Sequence, residues 1–323
     1  MANTLKIKRT RLSSFNVETI RGRLKKLAVS SFFLFFVTHA FSQVPDFSKV
    51  PTMWDADSAN ITDLVHHGVK IEKKKAICWF PRDSLTVQRM NEIADTINMG
   101  IIAAEKLIGA PLPWQVHRFN EPYIFYFRLD SFVSHASGAG FVSIPFWRIK
   151  NQKAPWLHEA MHEMLNTTNG DWDDTTITTE ENSKKNMPLW LLEGLPDYVS
   201  VEVSRINHLQ WYDVLSRSSR MNIDSIFIQE LKRPTDTTSY ILSYVGEKGL
   251  LPELFTKDRG LYAPAFYHAS GSFVHFIAEN YGLDTLLAAI SSFQKENETI
   301  EKLTGKPLAV LKQQWLQKLG INN

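Results

Sequence analysis

The chain has 323 residues, 44% of them hydrophobic, which is ample for a packed core and excludes disorder as the default state. Its 36 basic and 34 acidic residues give a formal net charge of +2, but residues 1–42 hold eight basic residues and one acidic, leaving 28 basic against 33 acidic, or −5, in the remainder. The basicity belongs to the amino-terminal segment, and the balance argues against nucleic acid as a partner.

Residues 1–26 are rich in Lys and Arg and precede an apolar run from Leu27 to Phe36, followed by Ala40-Phe41-Ser42 and Gln43. The pattern reads as a signal peptide over residues 1–42, so the expected location is secreted or periplasmic, with a mature terminus near Gln43. A retained anchor is the competing reading. The run from Leu27 to Phe41 falls short of the ~20 residues a span needs, so no stable membrane span is expected after signal removal. No Cys lies near the cleavage site to accept a lipid. Cys78, the single cysteine, sits in the apolar stretch from Ala76 to Phe80, where it predicts a buried, inert thiol and no internal disulfide.

Residues 43–70 are poorly periodic and read as a leader into a folded part spanning 71–323. Strands are predicted at 76–80, around 114–119 and at 122–128, the last aromatic and β-branched. Between the first two, a helix is predicted at about 84–108, with Val87, Met90, Ile93, Ile97, Ile101 and Leu107 at helical spacing. A turn at Ser137-Gly138-Ala139-Gly140 leads into a strand over 141–149. Helices are then predicted at 155–166, 188–205, 207–218, 223–232, 239–245, 263–281, 283–294 and 306–319, the last with Leu308, Leu311, Trp315 and Leu319 facing inward. The polar stretch 167–186 has the composition of a surface loop, and its Asp171, Asp173 and Asp174 lack the Gly and terminal Glu of a calcium loop. The predicted fold class is α+β: a sheet-bearing lobe over 71–205, a mostly helical lobe over 206–323, and a cleft between them.

The chemistry concentrates in His158-Glu159-Ala160-Met161-His162. A helix turns 100° per residue, so histidines four apart lie one turn apart on one face, where both imidazoles reach a single ion. Pro155 suits a first helical position, and Leu157, Met161, Met164 and Leu165 supply the apolar stripe. Glu159 projects beside the ion, where a general base for an activated water is needed, whereas Glu163 on the same helix reads as solvated or behind the ligands, with no assigned role. At this composition the pattern arises by chance roughly 0.03 times per chain. Catalytic zinc sites use three protein ligands, and Glu193 is the third: it is an acidic residue within the otherwise apolar segment Pro188 to Tyr198, where an unpaired carboxylate is costly to bury.

These motifs, with Trp190-Leu191-Leu192-Glu193-Gly194 and Asp197 four residues after Glu193, resemble the gluzincins, the thermolysin-like and aminopeptidase-like clan, and within it the peptidase MA-like proteins. The resemblance covers roughly 115–320. It implies a gluzincin-like catalytic domain, Zn2+ held by His158, His162 and Glu193, and Asp197 orienting a ligand histidine from behind. It also implies a tyrosine donor for the oxyanion, for which Tyr267 in Phe266-Tyr267-His268-Ala269-Ser270-Gly271 stands at the matching position, with His268 and Tyr244 as alternates. Two features depart from the family: a 30-residue spacing between His162 and Glu193, and Pro196, which predicts a kink or late helix start beside the ligand.

The expected activity is zinc-dependent hydrolysis of peptide bonds in a peptide or protein substrate, held along the edge strand 141–149 by main-chain bonds. Aminopeptidase action is not supported, because Ser137 to Phe141 offers no acidic anchor for a free amine. The alternative is a non-catalytic zinc-binding or interaction protein on a peptidase scaffold, which retention of Glu159 disfavours.

Overall fold

The structure, a computed structural model, describes residues 55–109, 121–129, 134–137, 140–165, 188–209, 221–231, 238–247, 251–255, 259–292 and 295–321. Five strands form one mixed sheet: β1 (Val69–Glu72), β2 (Ala76–Phe80), β3 (Tyr123–Arg128), β4 (His135–Ala136) and β5 (Phe141–Pro145), in the order β1-β2-β3-β5-β4. The central pairings β2/β3 and β3/β5 are parallel and the two outer ones antiparallel. Helices account for most of the remainder, so the chain is a mixed, mostly helical α+β protein.

Alternation along β3 explains how the sheet is covered on both faces. Tyr123, Phe125 and Phe127 point into the main core, whereas Tyr126, with Ile124 beside it, packs with Ile61 and Leu64 of helix α1 (Asp55–His67). Part of the stretch expected to be a leader, 43–70, is therefore helix and strand; its short apolar face, Ile61 and Leu64, only makes sense once a sheet face is available to bury it. Cys78 is buried in the main core as expected, and burial pushes its thiol pKa up.

Helix α2 (Val87–Ile108) starts at Thr86, whose side chain accepts from the Arg89 amide, and stops at Gly109 with φ 85°. Its buried stripe is Met90, Ile93, Ala94, Ile97, Gly100, Ile101, Ala104 and Ile108. The two ends of the expected stripe are wrong: Val87 and Leu107 are 60% and 36% exposed. Small residues at 94, 100 and 104, which hydrophobicity alone underweights, complete the buried face. Strand β5 also ends sooner than expected, at Pro145, and 146–150 turn into helix α3 (Phe146–Lys150). Nor is β5 the sheet edge, because β4 pairs outside it, with His135 opposite Ser143. The expected strand at 114–119, the loop 167–186 with its three Asp, and 210–218 of the expected helix at 207–218 lie outside the described residues.

The helical part comprises α4 (Trp156–Leu165), α5 (Leu189–Ile206), α6 (Ile223–Leu231), α7 (Thr238–Tyr244), α8 (Arg259–Tyr281), α9 (Leu283–Ser291), α10 (Glu296–Thr304) and α11 (Leu308–Lys318). Helix α10 was not anticipated: it is largely polar and buries Glu296 and Ile300, so its sequence carries little apolar periodicity. Leu308, Leu311 and Trp315 are buried and Leu319 packs partly against the core, as the α11 pattern indicated. One core runs from Ile71 on the sheet to Leu316 on α11, and residues 47–323 form one unit.

A polar chain ties α6, α8 and α11. The Trp315 indole donates to Ser272 Oγ at 2.9 Å, Ser272 donates to Asp224 Oδ1 at 2.6 Å, and His275 Nδ1 lies 3.0 Å from Asp224 Oδ2. The hydrogen bond to Asp224 raises the His275 pKa against burial, with Glu202 and Glu279 adding to it. Burial alone would raise Asp224, but His275, Ser272 and the charge of Lys318 more than reverse that and leave it lowered. The raised histidine stabilises the fold fully below its unfolded pKa of about 6.5 and loses that contribution as pH climbs through the folded value. The lowered carboxylate contributes above its unfolded value of about 3.9 and loses it as pH falls through the folded one. The stability difference between wild type and His275→Gln is therefore expected to be largest between about pH 4 and 6.5 and to shrink on either side, which urea unfolding across pH measures. A difference that does not vary with pH contradicts the pairing.

Candidate metal centre

Every residue of α4 except Glu159 is buried, because the helix lies between the sheet and the helical part. Pro155 precedes the helix, and its carbonyl accepts the Glu159 amide at 3.0 Å. Gly100 of α2 faces the Trp156 indole so closely that a Cβ there has no room, which fixes the start of α4. Leu157, Met161, Met164 and Leu165 are buried in the core as the stripe indicated, leaving His158 and His162 on the remaining face.

Helix α5 brings Glu193 to these histidines. It runs from Leu189 through Pro196 to Ile206, so the late start expected at Pro196 does not occur. Glu193 Oε2 lies 3.1 Å from His158 Nε2 and 3.5 Å from His162 Nε2, and the two Nε2 atoms are 3.2 Å apart. A tetrahedral zinc site with bonds of about 2.0–2.1 Å has ligand–ligand edges of about 3.3–3.4 Å. The observed triangle has that size, and among the described residues His158, His162 and Glu193 form a group that could hold a metal ion. Burial pushes the Glu193 carboxyl up, but the two imidazoles outweigh it and hold the group well below the usual carboxylate range. Its side chain is 15% exposed, so the centre is not sealed. Glu159 is partly exposed on the same helix and outside the triangle.

Behind the triangle, Asp197 is wholly buried, one turn along α5 from Glu193. Its Oδ1 faces His158 Nδ1 at 4.0 Å, longer than a hydrogen bond, and makes no hydrogen bond. An orphaned buried carboxylate oxygen aimed at the far nitrogen of His158 fits a metal at Nε2: Nδ1 would then carry the proton and donate it in a hydrogen bond to the carboxylate. Its Oδ2 lies 3.0 Å from Nδ1 of His268 on α8.

The α5/α8 crossing makes these contacts possible. A Cβ on Gly194 would stand 2.7 Å from the Ser270 carbonyl group, and one on Gly271 would stand 3.2 Å from Asp197 Oδ2. With hydrogens at both places, α8 comes close enough to stack the Tyr267 ring on the His158 imidazole, with centroids 5.9 Å apart and planes 16° from parallel. Of the three residues considered as oxyanion donor, Tyr267 is thus beside the ligands. His268 is buried and engaged with Asp197, and Tyr244 shares a cluster with Tyr240, 3.3 Å between hydroxyls, and Glu253.

Sequence reasoning left Glu163 without a role, either solvated or behind the ligands. It is buried, and its two oxygens accept from Ser137 Oγ at 2.9 Å and the Gly140 amide at 2.8 Å, tying α4 to the connection between β4 and β5. Glu163→Met removes both acceptors and should cost about 2–4 kcal/mol of stability, since the buried Gly140 amide and the part-buried Ser137 hydroxyl both lose a carboxylate acceptor. Thermal denaturation measures this, and an unchanged melting temperature contradicts it. His268 was likewise weighed only as a donor, because its partner Asp197 is 71 positions away in sequence.

No described helix is long and apolar enough to cross a membrane. No family model, no curated protein and no solved structure matches the chain.

Proposed function

We propose that the chain is a zinc-dependent peptidase with a gluzincin-like catalytic domain, exported through its amino-terminal signal and acting in a secreted or periplasmic setting on peptide or protein substrates. The observation that carries this reading is the His158, His162 and Glu193 triangle at zinc-ligand spacing, with a partly exposed Glu159 beside it.

Zn2+ bound there would supply Lewis acidity to the scissile carbonyl and lower the pKa of the attacking water. Glu159 accepts the proton of that water and passes it to the leaving amine, which needs a carboxylate near the ligands but not engaged by them. Tyr267 lies against His158 on the α8 side, where its hydroxyl donates to the oxygen that gains charge as the carbonyl becomes tetrahedral. The edge strand β4 replaces β5 as the element that holds an extended substrate through main-chain bonds.

The test joins metal analysis of the purified protein with digestion of an unbiased peptide library. One zinc per chain and internal cleavage, abolished by a chelator and restored by zinc, are expected. One zinc without cleavage would replace this reading with a non-catalytic zinc-binding protein. Tyr267→Phe removes only the hydroxyl, so kcat is expected to fall ~10²-fold with zinc content and melting temperature unchanged. A normal kcat removes Tyr267 from the mechanism.

A further inference from the structure

Three helices contribute one residue each to a buried polar chain: His158 on α4, Asp197 on α5 and His268 on α8. All three are buried, Asp197 and His268 completely. A carboxylate oxygen only accepts, so the 3.0 Å contact between Asp197 Oδ2 and His268 Nδ1 places the proton on that nitrogen. The contact also fixes the plane of the carboxylate: with Oδ2 held by His268, the second oxygen is turned toward His158 Nδ1 at 4.0 Å. Gly271, one turn beyond Tyr267 on α8, keeps the space beside the carboxylate free of a side chain, since a Cβ there would stand 3.2 Å from Oδ2.

We propose that His268 is a positioning residue of the metal centre: by holding Asp197 Oδ2 it aims Asp197 Oδ1 at Nδ1 of His158, and so sets how tightly that histidine holds a divalent cation. Nothing local in the sequence links His268 to the HExxH helix; the link exists because the Gly194/Ser270 crossing brings α8 against α5. Consecutive residues of α8 thus reach His158 by two routes, Tyr267 through its ring and His268 through Asp197. Partners behind a ligand histidine fix its tautomer and raise its basicity, and their removal typically weakens metal binding about 10- to 100-fold.

The inference rests on the metal reading of the triangle but not on hydrolysis, so its test is metal binding to the full chain. Zn2+ affinity is measured by competition with a chromophoric chelator, and the visible spectrum of the Co2+ form reports ligand geometry. His268→Asn, whose amide nitrogen stands near the Nδ1 position, should keep near wild-type affinity and spectrum. His268→Leu removes the donor and should weaken Zn2+ binding about 10- to 100-fold and alter the Co2+ spectrum. If His268→Leu does not fold, His268→Gln, which displaces the amide nitrogen toward the Nε2 position, carries the same comparison with Asn. Because His268 acts through Asp197, Asp197→Ala should weaken binding similarly and adding His268→Leu to it should weaken binding no further. Equal affinities and spectra for wild type and all His268 variants, or additive losses in the double variant, overturn the positioning role. A wild-type chain that binds neither Zn2+ nor Co2+ stoichiometrically overturns the metal reading itself, and the inference with it.

Discussion

Glu159→Gln is expected to keep one zinc per chain while lowering kcat by about 10²- to 10⁴-fold, the range that general-base assistance contributes. The substitution preserves size and neighbours but leaves an amide that cannot take a proton from water. Zinc content should not change, because Glu159 lies outside the triangle formed by His158, His162 and Glu193. His162→Ala should behave in the opposite way. It removes the imidazole whose Nε2 lies 3.2 Å from that of His158, leaving two ligands, and the metal should be lost together with activity. Measuring zinc by atomic emission alongside steady-state turnover separates the two cases. Parallel loss of zinc and turnover in Glu159→Gln would make that residue structural and remove the base from the mechanism.

Gly194→Ala should destabilise the protein by about 1–3 kcal/mol, although Gly→Ala inside a helix ordinarily stabilises by roughly 0.5–1 kcal/mol. The sign reverses because the new Cβ would stand 2.7 Å from the carbonyl carbon and oxygen of Ser270, and backbone cannot move aside as a flexible side chain can. Relief requires α5 and α8 to separate, which carries Asp197 from His268 and Tyr267 from His158, so zinc affinity should fall along with stability. Gly260→Ala is the control: the position is exposed in the first turn of α8 with nothing within 4 Å, and the ordinary stabilising sign is expected there. Thermal melts of both variants with zinc titration decide the matter. A Gly194→Ala protein at least as stable as wild type would show that the crossing has room to spare.

The local elements of this protein are legible in its residues. The strand at 76–80, the aromatic and β-branched strand at 122–128, the long helix at about 84–108 and the helix carrying His158 and His162 follow from residue type and from the 3.6-residue period. The pairing of His158 with His162 was legible because a single turn of helix fixes both, and Glu193 because an acidic residue in an apolar segment demands a partner. Where local pattern was weak, the reading failed. Among its described side chains helix α1 buries Ile61 and Leu64, with Val65 packed beside them, α10 is mostly polar, and the ends of α2 depend on which neighbours reach them.

Which strand lies at the sheet edge, that Glu163 holds the β4–β5 connection, and that His268 belongs to Asp197 follow from the packed fold alone. These are contacts between residues 23 to 71 positions apart, set by how closely helices and sheet approach. That closeness depends on glycines whose contribution is the absence of a side chain. A hydrogen at 194 reads in the sequence as a weak helix residue, and only the Ser270 carbonyl lying against it shows why nothing larger fits, while at 271 the Ile223 side chain and the Asp197 carboxylate make the fit tight.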